Sequence, residues 1–81
     1  MNAKDSKYLA ENEHIPTDEV WQDIKDTNVE IRELRQKRAA LTGHTDRQAH
    51  MKRRHYSAEI KRREDFTNDL RRLLKLRGEI E

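Results

Sequence analysis

The chain has 81 residues, 42% of them charged and 32% hydrophobic, and 18 Lys and Arg side chains nearly balance 16 Asp and Glu to leave a net charge of +2. That length sets one domain with a thin core, and the lack of cysteine excludes disulfides and thiolate metal sites. No apolar run approaches the roughly 18 residues of a membrane span and MNAKDSKYLAENE has no secretory h-region, so a soluble cytoplasmic protein is expected.

Leu, Ile, Val and Phe together number only 15. With nearly cancelling charges, so sparse an apolar set fits long amphipathic helices better than disorder. Residues 1–16 are read as an N-terminal segment able to form a short helix, ended by the sole proline, Pro16, which disfavours helical geometry at Ile15. Thr17 is the expected N-cap of the next helix, with Asp18 and Glu19 at the positive end of its dipole. Val20, Ile24, Thr27, Ile31, Leu34, Arg38 and Leu41 then alternate spacings of four and three, a heptad seam that predicts a helix over about residues 18–41. Trp21, beside Val20, is expected as a core or interface anchor.

Gly43 suits the left-handed residue after a helix, and Thr45 with Gln48 forms a capping box for a second helix over about residues 46–77 or beyond. So short a loop makes the two helices antiparallel neighbours. The fold class is therefore all-α: a coiled-coil-like two-helix hairpin formed by residues 17–81, with the N-terminal segment at its open end. A turn centred on residues 43 and 44 pairs position i with about 87 − i, which leaves the cluster LRRLLKLRGEI projecting past the first helix. Two covers are expected for it. One is the N-terminal segment with Tyr8, Leu9 and Ile15. The other is a second copy of the chain, giving a homodimeric bundle with Leu70, Leu73, Leu74, Leu76 and Ile80 at the interface. The shape is similar to that of Rop-type four-helix dimers, without likeness of sequence.

Charge is segregated along the chain. Residues 17–34 carry a net −4, residues 35–63 a net +8 and residues 64–81 a net −1. In KRRHYSAEIKRRED, the second KRR has Glu59, Glu64 and Asp65 at helical-neighbour offsets, and Tyr56 and Ile60 fall on the seam. Lys52, Arg53, Arg54, Arg47, Arg35 and Arg38 have no acid at those offsets. These six form the candidate site for an anionic partner at the hairpin tip, with His44, His50 and His55 nearby. Arg38, Arg63 and Arg77 lie on or beside the seams, where stems are expected to pack while heads reach water.

Nothing in the sequence marks catalysis. There is no Gly-rich phosphate loop and no HExxH, and His50 and His55 do not share a helix face, so no metal ligands, cofactor or catalytic residues are assigned. EIRELRQKRAAL, residues 30–41, loosely resembles the first helix of the small all-helical chorismate mutases, although the lysine segment that follows in that family is absent. The resemblance implies a small helical enzyme binding a dicarboxylate as an outlying alternative. The main expectation is a non-catalytic adaptor, inhibitor or regulator, of a kind common in phages and mobile elements. It would present a basic tip to an acidic protein surface, with nucleic acid at the same tip as the alternative.

Overall fold

The structure is a computed structural model describing residues 1–80; Glu81, the end of the expected hairpin segment, lies outside the described residues. Among these, the chain forms three helices and no strand: α1 (Ala3–Asn12), α2 (Thr17–Ala39) and α3 (Arg47–Leu76). Each start has a local cause. Asn2 caps α1, its side-chain oxygen accepting from the Asp5 N–H at 2.8 Å. Thr17 is the first residue of α2 rather than its cap. Pro16 stands outside in extended geometry, and its carbonyl accepts from the Val20 N–H at 3.1 Å. The expected box of Thr45 and Gln48 gives way to Asp46, which accepts from the Ala49 N–H at 3.2 Å. A carboxylate both bonds the free amide and meets the positive end of the dipole, so it outcompetes the neighbouring hydroxyl. At the far end, Gly78 with φ +80° lets its own N–H reach Lys75 O and the Glu79 N–H reach Leu74 O, a Schellman closure of α3.

α2 and α3 run antiparallel, since Thr17 meets Arg77 while Leu41 meets Arg53. In both pairs the residue numbers total 94, not 87. The difference of seven is one heptad. It arises because the connection is not symmetric. After Ala39 the chain continues in tight turns (Leu41 N–H to Arg38 O, Thr42 N–H to Ala39 O, His44 N–H to Leu41 O), turns at Gly43 with φ +87°, and runs extended into Asp46. α3 therefore starts beyond the end of α2 and overhangs it by about 12 Å, from Arg47 to about Arg54.

This slide reverses the expected geometry at the open end. The leucines of α3 do not project past α2; they lie beside its first turns. Val20, Ile24, Leu70, Leu73 and Leu74 form the buried core, with Tyr8, Leu9, Ile15 and Ile80 packed against it. α1 lies across α3 there. Tyr8 donates its hydroxyl to Asp69 O at 2.7 Å and Arg72 bonds the Asp5 carboxylate, its guanidinium 4.7 Å from the centre of the Tyr8 ring. The Tyr8 pKa is raised above its ordinary 10.0, chiefly because burial disfavours the phenolate. Of the two covers expected for the leucines, the chain supplies one itself. Leu73 and Leu74 have no accessible surface in a single copy, Leu70 is buried, and Leu76 and Ile80 are half-buried. Trp21, expected as a core or interface anchor, lies outside the core of the single chain, 39% exposed, because it sits one position off the seam.

Toward the middle the core thins. Thr27 and Thr67 are both buried, and the register places them opposite one another; Thr67 satisfies its hydroxyl on Glu64 O at 2.9 Å. Beyond them only Ile31, Ile60 and Ala49 are buried.

Candidate anionic-partner site

The six tip cations divide once the register is known. Arg35, which the 87 − i pairing sets opposite Lys52, instead reaches Glu64 at 2.9 Å as an ion pair between α2 and α3. Arg38 donates to the Ser57 hydroxyl at 3.2 Å. Arg53 turns inward and donates to Leu41 O at 2.7 Å and His44 O at 2.6 Å, closing the end of α2. Its charge stays uncompensated, but its donors are committed to the fold. Arg47, Lys52 and Arg54 are left, and no carboxylate lies within ion-pair distance of them among the described residues. Arg47 and Arg54 are exposed along one flank of α3, seven residues apart, whereas Lys52, also exposed, lies on the other flank. Met51, 58% exposed, sits between these flanks and borders a shallow tip depression of about 310 Å³ with Arg54 and His55.

The seam arginines are structural fasteners rather than solvated heads. Arg77 donates to Asn12 O and Ile15 O, both at 2.7 Å, and so takes up free carbonyls where α1 ends. Arg63 bridges Glu30 at 2.9 Å and Glu59 at 2.6 Å. The hydrogen bond from Arg63 holds the Glu59 carboxyl below its ordinary 4.5; partial burial opposes this, and the charges of Arg62, Arg63 and His55 assist. Arg53 is a fourth seam arginine, beside Arg38, Arg63 and Arg77, although the sequence places it in the candidate site. Its position four after Ala49 and three before Tyr56 was the available sign that it faces inward.

Charge is also divided across the hairpin, which a lengthwise reading misses. On one side of the seam, Asn28, Arg32 and Arg35 of α2 face Glu64, Asn68 and Arg71 of α3 across a groove of about 490 Å³ floored by Ile31 and Thr67. On the other side, a groove of about 440 Å³ lined by Thr27, Glu30, Glu59, Arg62, Arg63 and Phe66 is balanced by the ion pairs of Arg63 and Arg62. Among the described residues no group of three or more His, Cys, Asp or Glu side chains could hold a metal ion, and no helix is long and apolar enough to cross a membrane. No family model matches the chain, and no curated protein or solved structure matches it.

Proposed function

We infer that this chain is a small non-catalytic binding protein, an adaptor, inhibitor or regulator, that presents the overhanging tip of α3 to an acidic protein partner in the cytoplasm. The observation that carries this reading is the overhang itself. It holds Arg47, Lys52 and Arg54 clear of α2 and, among the described residues, without carboxylate partners, around an exposed Met51. An adaptable apolar side chain ringed by cations suits a protein surface that pairs acids with an apolar contact, because interface energy concentrates in such anchors. A nucleic-acid backbone has no use for Met51, so the protein reading is favoured at this end. A homodimer, the other expected partnership, has to use surface other than Leu70, Leu73 and Leu74, which one chain already buries.

The test is affinity capture from the native host with nuclease treatment throughout, comparing the wild type with Arg47→Glu plus Arg54→Glu and with Met51→Asp. A stoichiometric protein complex that survives nuclease and is lost in both variants supports the reading. Capture by the variants equal to that by the wild type overturns it.

A further inference from the structure

We propose that the groove between α2 and α3, away from the tip, binds single-stranded nucleic acid, with phosphates held by Arg32, Arg71, Lys25 and Lys75 and a base stacked on Trp21. Arg32 and Arg71 line the groove and are exposed, and no carboxylate lies within ion-pair distance of either among the described residues. Lys25 is seven residues before Arg32 and Lys75 four after Arg71, so both extend the same flank toward the open end. Neither has an ion-pair partner among the described residues. The one acid lining the groove, Glu64, is occupied by Arg35. Asn28 and Asn68 add carboxamide donors and acceptors across the groove.

The chemistry of this flank points to a polyanion rather than a protein. A protein interface concentrates its energy in apolar and aromatic anchors near its centre, and the only apolar lining side chain here, Ile31, is buried in the floor. Guanidinium and ammonium groups strung along a groove are what a phosphate backbone needs. The single exposed aromatic on this flank is Trp21, 39% exposed and one heptad, about 10 Å, from Asn28 toward the open end. A basic groove leading to an exposed indole is the arrangement that holds unpaired bases, since every base offers a face to stack. A duplex hides those faces.

Trp21 is the only tryptophan, so its fluorescence reports on this flank alone, about 25 Å from the tip end of α2. The probe is a labelled oligothymidylate of about 20 nucleotides, followed by anisotropy and by Trp21 emission, with a duplex of equal length and polyglutamate as comparisons. The expected result is binding with quenching of Trp21, weaker binding of the duplex, and a log–log salt slope of about −3 from four phosphate contacts. Arg32→Glu with Arg71→Glu should cost about tenfold or more in affinity and halve that slope. Lys4→Glu with Lys7→Glu, an equal charge change on exposed positions of α1, should leave affinity within about twofold. Far-ultraviolet circular dichroism checks the fold, and Arg32→Gln with Arg71→Gln replaces the glutamate pair if that pair is not helical. Absence of binding at low salt overturns the proposal. So does binding that leaves Trp21 emission unchanged, an equal loss in the α1 variant, or equal quenching by duplex or polyglutamate. Arg47→Glu with Arg54→Glu tests the tip separately, so the two proposals fail independently.

Discussion

Leu73→Ala tests whether the leucine-rich end is an internal core or an interface between copies. Leu73 has no accessible surface in a single chain, and it sits in the cluster with Val20, Ile24, Leu70 and Leu74 that α1 covers. Truncating such a leucine removes the transfer free energy of the lost carbons and leaves a cavity, together about 3 kcal/mol. For a chain of this size total stability is of order 4–12 kcal/mol, so the loss is a large share of it. At about 4–8 °C per kcal/mol, the melting temperature should fall by about 12–24 °C. Leu76→Ala, at a half-buried position, should cost less than half as much. The assay is thermal unfolding by circular dichroism at protein concentrations a hundredfold apart. An internal core gives the same melting temperature at both; an intermolecular one gives a value that rises with concentration. A drop of less than about 4 °C in Leu73→Ala, or a concentration-dependent melting temperature for the wild type, would refute the reasoning.

Other expectations follow from single contacts. Arg53→Ala frees Leu41 O and His44 O and should cost about 1.5–3 kcal/mol, with faster amide exchange in residues 40–50. Arg54→Ala, one residue on and without such partners, should stay within about 0.5 kcal/mol by denaturant unfolding, and equal effects would contradict the assignment. Asp46→Ala should cost about 1 kcal/mol through loss of the cap, whereas Thr45→Ala should be near neutral; the reverse order would restore the threonine as the cap. The Glu59 carboxyl is held below 4.5 in the folded chain, so its contribution is complete above that pH and is lost as pH falls through the folded value. Wild-type stability measured against Glu59→Gln should therefore converge in acid and separate toward neutrality, and parallel curves would show that the Arg63 contact contributes nothing.

The alternation of fours and threes was enough to identify which residues face inward. Val20, Ile24, Thr27 and Ile31 are buried and Leu34, Arg38 and Leu41 half-buried, as that spacing requires. Register was not legible, because a seam that repeats every seven residues looks the same after a slide of seven. The slide was set by the turns from Ala40 to Gly43 and the extended run to Asp46, which carry no periodicity. From that one offset follow the wrong position opposite Arg35, the leucines expected to project past α2, and the overhang placed at the wrong end. The candidate site suffered from a second blindness. Helical-neighbour offsets find acids on the same helix, but Glu64 belongs to the other helix and the partners of Arg53 are backbone carbonyls. Counting charge along the chain also hid its division across the seam, which the heptad positions of Arg32 and Arg71 already encode.

The fully buried leucines stand at one end of a molecule 49 Å long and the overhanging cations at the other, with a threonine layer between them. Changes at residues so far apart, with no shared neighbours, act additively on stability. Substitutions among the solvent-facing residues from Arg47 to Arg54 can therefore change the charge of the tip while the end that keeps the chain folded is left alone. Ala49 and Arg53 are the exceptions within that stretch, because Ala49 is buried and the donors of Arg53 close the end of α2.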